Sequence, residues 1–87
     1  MTVQIEFFGI PRTRAGISHI AVEATTLGAA LQQVADLVPG WGDACLEDNQ
    51  LQRGLIANLN GQRFISDIDT LLNPGDSVLI LSADVGG

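Results

Sequence analysis

The sequence has few of the residues from which catalytic and metal sites are built. It contains one cysteine (Cys45), one histidine (His19) and no lysine. A lone cysteine excludes an intrachain disulfide, and one thiolate with one imidazole is too few ligands for a zinc site within one chain. We therefore expect a cytoplasmic protein with no bound metal.

Motifs for nucleotide binding and hydrolysis are also missing. The chain has no GxxxxGK[ST] or GxGxxG segment, no HExxH and no GxSxG, which leaves no recognisable site for a bound cofactor. No basic region precedes an apolar stretch at its start, and no apolar run approaches the roughly 18 residues that span a bilayer. Four arginines against ten acidic residues give a formal charge of −6, which disfavours nucleic-acid and anionic-membrane partners.

What the sequence does contain is the composition of one small globular domain. The 87 residues are 46% hydrophobic, which is enough for a packed core in a chain of this length. No repeat, charge block or linker-like segment divides it. We expect a single domain spanning residues 1–87.

The first part of the chain has the pattern of a β-hairpin. Residues 3–9 (VQIEFFG) alternate, which predicts a strand with Ile5 and Phe7 on one face and Phe8 on the other. Residues 17–23 (ISHIAVE) predict a second strand. The segment IPRTRAG between them is rich in turn-forming residues and predicts an irregular connection.

A helical pattern follows. Residues 27–38 (LGAALQQVADLV) place apolar side chains at helical spacing, after the N-cap candidates Thr25 and Thr26. The Pro-Gly pair that comes next predicts the end of the helix. Residues 39–53 show no sustained period and predict an irregular connection, with a short helical turn or edge strand around residues 45–52.

The C-terminal part predicts further strands. Asn60-Gly61 is a turn pair that tolerates positive φ and lies between strand-type residues, as in a hairpin. After Pro74, residues 77–83 (SVLILSA) are apolar enough for a central strand with both faces covered. We expect an exposed, flexible tail over residues 82–87.

This order of elements predicts an α+β fold of the β-grasp (ubiquitin-like) type. Its mixed sheet of four to five strands would pack on one main helix. An α+β sandwich of another topology is the main alternative.

The isolated reactive side chains predict no active site. His19 lies on a predicted strand and would need a nucleophile and an orienting carboxylate from elsewhere. Cys45 is close in sequence to Asp43, Glu47 and Asp48, which would raise its pKa rather than create a thiolate. We expect a structural or surface histidine and an inert thiol.

Other candidates have similarly ordinary interpretations. Asp67 and Asp69 are too few oxygen ligands for a calcium or magnesium site, and a capping role is preferred. Trp41, between two glycines, is expected to anchor a loop on the core. The chain then ends in Gly86-Gly87, where the absence of Cβ atoms lets backbone pass through a narrow channel.

These features resemble those of the sulfur-carrier β-grasp family, and most closely the small subunit of molybdopterin synthase. The resemblance rests on the Phe7-Phe8 end of the first strand, the segments CLEDNQL, LNG and NPGDSV, and the terminal Gly86-Gly87. It implies that an E1-like enzyme, using ATP, adenylates the carboxylate of Gly87, which is then converted to a thiocarboxylate. The sulfur would pass to molybdopterin with the large synthase subunit, and this chain would be a protein co-substrate and not an enzyme.

The resemblance also implies a docking surface. Family members use an apolar patch on the exposed sheet face, and the matching strand positions here are Phe8 and Leu81. Arg63 occupies a position that is often apolar in the family. Gly86 would let the tail enter the active sites of the partners.

Several alternatives stay open from the sequence. The thiamine-pathway carrier is similar but shorter, and lacks much of the segment matching residues 39–53. Sulfur delivery to cysteine or another metabolite, a non-catalytic interaction module, and a small enzyme using His19 and Cys45 are the others. The absence of lysine suggests a further hypothesis, that the chain avoids acylating itself, which a lysine at Ser82 would test.

Overall fold

A five-stranded mixed sheet forms one layer of the molecule. The computed structural model describes residues 2–83. The strands are β1 (Val3–Phe7), β2 (His19–Val22), β5 (Leu55–Leu59), β6 (Arg63–Ile65) and β7 (Ser77–Ser82), and the order across the sheet is β2-β1-β7-β5-β6. Strands β1 and β7 are parallel, and the other neighbours are antiparallel. A separate hairpin joins β3 (Leu46–Glu47) to β4 (Gln50–Leu51).

Helices cover one face of this sheet. They are α1 (Ile10–Ala15), α2 (Leu27–Leu37) and α3 (Pro39–Cys45). The Thr26 hydroxyl accepts a hydrogen bond from the Ala29 N–H at 3.2 Å, which confirms Thr26 as the N-cap of α2. Within residues 2–83, no helix has the length and hydropathy needed to cross a membrane.

The core lies between the sheet and the helices. Alternate residues of β1 point into it, since Val3, Ile5 and Phe7 are buried while Glu6 is exposed. Trp41 of α3 is fully buried, and its ring lies 5.7 Å from that of Phe7 with a tilt of 51°. This tilted packing joins α3 to the first strand.

The contact between α2 and α3 depends on a glycine. A Cβ built on Gly42 would lie 2.7 Å from the Cβ of Ala35, closer than two carbons can approach. Gly42 therefore permits the two helices to pack this tightly.

Two segments predicted as irregular are helical. Pro11 and Gly16 were interpreted as turn residues, but Pro11 lies in the first turn of α1 and Gly16 caps its end with φ of 75°. Pro39 likewise lies just after Val38, the C-cap of α2, and is the first residue of α3. Trp41 is therefore a buried helix residue and not a loop anchor.

The C-terminal hairpin and central strand were predicted correctly. Asn60 and Gly61 both have positive φ, at 57° and 69°, as the hairpin turn between β5 and β6 requires. Strand β7 is the middle strand of five. It ends at Ser82, which is buried, so the expected tail boundary at residue 82 falls inside the sheet.

Candidate functional site

The outward face of the sheet carries a set of apolar side chains. The register pairs Ile56 with Leu81, and Asn58 with both Leu79 and Phe64. Cross-strand partners point to the same face, and the alternate residues Ala57 and Ile80 are buried in the core. The side chains facing away from the helices are therefore those of the paired residues Ile56, Asn58, Phe64, Leu79 and Leu81.

Phe8 extends this face across β1. Phe7 is the parallel partner of Ile80, and the Phe8 N–H donates to the Ile80 carbonyl at 3.0 Å. The pairing continues for one residue and places Phe8 beside Leu81. Phe8 is 48% exposed, so its predicted outward direction is confirmed.

We call this set the apolar patch: Phe8, Ile56, Phe64, Leu79 and Leu81. Phe64 is 65% exposed, and the three aliphatic members are partly buried. Aromatic rings at this exposure offer a large area to a partner for little conformational entropy. The patch lies beside the carboxyl end of β7, next to the point where the C-terminal residues begin.

Arg63 does not belong to the patch. It pairs with Leu59, which in turn pairs with the buried Val78, so its side chain has the parity of the core face. It lies close enough to Asp76 to lower the pKa of that carboxyl. The structure thus separates Arg63 from Phe8 and Leu81, and places the neighbouring Phe64 with them.

Ala83, within the expected tail, is hydrogen-bonded to the folded domain. The Ala83 N–H donates to the Gly54 carbonyl at 2.7 Å, so β7 leads directly into the turn that holds Arg53. A groove beside this point is lined in part by Ile10, Arg53 and Ser82. Gly86 and Gly87, the predicted reactive end, lie outside the described residues.

His19 is an exposed residue of the edge strand β2. Its Nδ1 lies 3.0 Å from the Ser18 hydroxyl oxygen, and its cross-strand partner is Glu6. The Glu6 carboxylate accepts a hydrogen bond from the Ser77 hydroxyl at 3.2 Å. These groups lie on an open strand surface and not in a cavity that could exclude water from a reaction.

Cys45 is buried in the core at the end of α3. Burial raises the pKa of its thiol, and Arg14 lowers it by a smaller amount. The direction agrees with the expectation of an inert thiol, but the dominant cause is loss of solvent and not the neighbouring carboxylates. Cys45 therefore has the environment of a core packing residue and not that of a reactive thiolate.

Of the two acidic residues Asp67 and Asp69, Asp67 caps the turn in which both lie. The Asp67 carboxylate accepts the Asp69 N–H at 2.8 Å in the turn before Leu71. No group of three or more histidine, cysteine, aspartate or glutamate side chains within residues 2–83 has the arrangement of a metal site. The predicted capping role of Asp67 agrees with this geometry.

The family model described as the ThiS family matches residues 5–87, nearly the whole chain and including the terminal glycines. The chain belongs to the ThiS family. The members of this family are sulfur-carrier β-grasp proteins, which confirms the class that the sequence resembled.

Solved structures support the β-grasp architecture of this ThiS-family chain. SAMP1 from Haloferax volcanii superposes with a TM-score of 0.85 at 19% identity, with 100% of each chain covered. A chain of the Amycolatopsis orientalis BexX/CysO complex gives 0.81 at 20% identity, covering 98% of this chain and 99% of its own. The putative molybdopterin converting factor subunit 1 from Pyrococcus furiosus gives 0.74 at 17% identity, with 94% and 97% covered. Among curated protein sequences no match was found.

Proposed function

We propose that this ThiS-family chain is a cytoplasmic sulfur carrier for molybdopterin synthesis, acting as a co-substrate and not as an enzyme. The Gly87 carboxylate would attack the α-phosphate of ATP in an E1-like enzyme, with release of pyrophosphate. A sulfur nucleophile would then attack the acyl adenylate and displace AMP, which leaves a thiocarboxylate. The observation that carries this proposal is the family match, which continues to residue 87.

The arrangement around β7 supports the carrier role. The apolar patch lies on the outward face beside the carboxyl end of β7, so a partner bound there is next to the chain segment that leads to Gly87. A partner can thus hold the folded domain by its sheet while the last residues enter its active site. The reactive carboxylate is supplied by this chain, and the catalytic groups by the partner.

The segment 39–53 favours the molybdopterin type over the thiamine type. It forms α3 and the β3–β4 hairpin, and it supplies the buried Trp41 and Cys45. This segment is a structural part of the domain and not a surface insertion. The large subunit of molybdopterin synthase is accordingly the proposed acceptor partner.

The test begins with intact-protein mass spectrometry. The purified chain is incubated with ATP, the E1-like enzyme of the same organism and hydrosulfide, and the expected product has one oxygen replaced by sulfur. The product is then mixed with the large synthase subunit and the sulfur-free pterin precursor, and molybdopterin is measured. No mass change, with an authentic carrier reacting in parallel, would favour an interaction module. Thiocarboxylate that transfers no sulfur to the pterin would indicate a thiamine, cysteine or other acceptor.

A further inference from the structure

The turn between β5 and β6 contains the only Asn-Gly pair of the sequence, Asn60-Gly61. In such a pair the backbone nitrogen of the glycine can attack Cγ of the asparagine, because glycine has no Cβ to hinder the approach. Both residues are exposed, and among the described residues no atom lies within 4 Å of where a Cβ of Gly61 would be. Water and hydroxide therefore have access to the reacting atoms.

Both ends of the Asn60 side-chain amide are engaged in the folded protein. The amide nitrogen donates to the Asp76 carboxylate at 3.0 Å, and the amide oxygen accepts the Ser77 N–H at 2.8 Å. These bonds hold the amide against the entry of β7. They must break before Cγ can turn toward the Gly61 nitrogen and reach a geometry in which a bond forms.

The bond to Asp76 is the stronger of these two restraints. It joins an amide to a carboxylate, whereas the bond from Ser77 joins two neutral groups. The other oxygen of the Asp76 carboxylate accepts the Asn73 N–H at 2.8 Å, which fixes the acceptor in place. The hydrogen bonds from Asn73 and Asn60 lower the pKa of Asp76, so the acceptor is ionised at neutral pH.

We propose that Asn60 is a site of spontaneous deamidation, that its hydrogen bond to Asp76 suppresses the reaction, and that the product cannot restore this bond. When the bond opens, the Gly61 nitrogen loses its proton and attacks Cγ. A C–N bond forms, and ammonia leaves to give a cyclic imide. Water then opens the imide at either carbonyl, to aspartate or isoaspartate. The net reaction consumes one water, releases one ammonia and needs no enzyme.

The product differs from Asn60 at the atom that contacts Asp76. An ionised carboxylate accepts hydrogen bonds and donates none, so it can keep the bond from the Ser77 N–H but not the one to Asp76. Two negative charges would then face each other across a former hydrogen bond. Deamidation therefore removes the link between the β5–β6 turn and the residue that precedes β7.

The rate is measured by keeping the folded chain at mildly alkaline pH and following residue 60 by peptide mapping with mass spectrometry. Wild type in guanidinium chloride gives the rate without the fold, and the folded chain is expected to react at least about tenfold more slowly. Folded Asp76→Ala is expected to react about tenfold faster than folded wild type, because a hydrogen bond to a charged group has about that effect on the open population. Asp76→Asn keeps an oxygen acceptor without the charge and should lie between them.

Gly42→Ala is the matched control for stability. Its methyl group overlaps Ala35 and leaves the Asn60-Gly61 turn intact, so residue 60 should react at nearly the wild-type rate. Reaction of Asp76→Ala at the wild-type rate would overturn the inference, as would equal acceleration in Gly42→Ala. If Asp76→Ala does not fold, Asp76→Asn is compared with wild type and Gly42→Ala by the same criteria.

The effect of the product is measured on Asn60→Asp, which has the aspartate form. Its unfolding midpoint in urea at neutral pH should be lower than that of wild type. The double variant Asn60→Asp/Asp76→Asn exchanges the two groups, so that the amide can donate to the carboxylate while its oxygen accepts the Asn73 N–H. It should recover part of the lost stability. Asn60→Asp with the wild-type midpoint would contradict the predicted loss of the link.

Discussion

The side-chain amide of Asn60 donates to the carboxylate of Asp76 at 3.0 Å, and this bond joins the β5–β6 turn to the entry of β7. The same carboxylate accepts the Asn73 N–H at 2.8 Å. The Asn60 oxygen in turn accepts the Ser77 N–H at 2.8 Å. Two turns that are distant in sequence are thus held at one end of the central strand.

Asp76 should make stability depend on pH in the acid range. Its hydrogen bond from Asn73, followed by that from Asn60, lowers its pKa from the ordinary value of 3.8. A carboxyl whose pKa is lower in the folded state stabilises the protein above the unfolded value, and this contribution is lost as pH falls through the folded value. We expect Asp76→Asn to reduce the free energy of unfolding at pH 7, with a smaller difference from wild type below pH 3.8.

Urea denaturation at a series of pH values from neutral to acid checks this expectation. Asp43→Asn, at an exposed site on α3, is the control for removing one negative charge. A constant difference between Asp76→Asn and wild type at every pH would contradict the role given to the Asp76 carboxylate.

Phe64 and Arg63 are adjacent in sequence but on opposite faces, so they form a matched pair. Phe64→Ala should weaken binding to the activating enzyme about tenfold or more, corresponding to roughly 1.4 kcal/mol, because exposed aromatic residues often dominate an interface. Arg63→Ala should leave the affinity nearly unchanged. Titration calorimetry measures both, and equal losses for the two variants would show that the apolar patch is not the docking surface.

The glycines of α3 give a second matched pair, for stability. Gly42→Ala should lower the free energy of unfolding by about 1–3 kcal/mol, because the new methyl group overlaps Ala35. In Gly40→Ala the nearest atom is the Arg14 carbonyl oxygen at 3.7 Å, an ordinary contact. That variant should be neutral or gain up to about 1 kcal/mol from helix propensity. Urea unfolding followed by far-UV circular dichroism compares them, and a neutral Gly42→Ala would mean that α2 and α3 can separate at little cost.

Removal of the last residue should separate chemistry from folding. Deleting Gly87 is expected to abolish adenylation, because the new terminal carboxylate falls about one residue, or roughly 3.5 Å, short of the reacting phosphate. The unfolding curve should be unchanged. Pyrophosphate release with the E1-like enzyme measures the first effect, with Val85→Ala as a control that keeps the chain length. Continued adenylation of the shortened chain would rule out Gly87 as the reactive residue.

Elements with a regular hydrophobic period were predictable from sequence. Elements bounded by proline and glycine residues that fit either a turn or a helix end were not. Alternation gave the outward direction of Phe8, and the Asn60-Gly61 pair gave the hairpin. Helix α1 was missed because Pro11 and Gly16 serve equally well as turn residues and as the two ends of a short helix. Only the tertiary contacts of this segment decide between the two.

The residues predicted for docking show the same limit. Family likeness suggested Arg63, but the face of a residue in a short edge strand depends on its register with the neighbouring strand. A shift of one residue in the register of β6 against β5 would place Arg63, and not Phe64, on the outward face. The structure shows this register through the pairing of Asn58 with Phe64. The sequence of the three-residue strand β6 does not reveal it.

The central position of β7 also determines how the domain would respond to mechanical force. Strand β7 is hydrogen-bonded to β1 on one side and to β5 on the other, and within residues 2–83 it is the strand that connects the β1–β2 and β5–β6 hairpins. A pull on the residues that follow Ser82 would act along the axis of β7 and load both ladders in shear. All of their hydrogen bonds would then resist together, whereas a pull across the strand would open them one after another. If a partner pulls on the C-terminal end of β7, the sheet therefore bears the tension in the direction in which it is strongest.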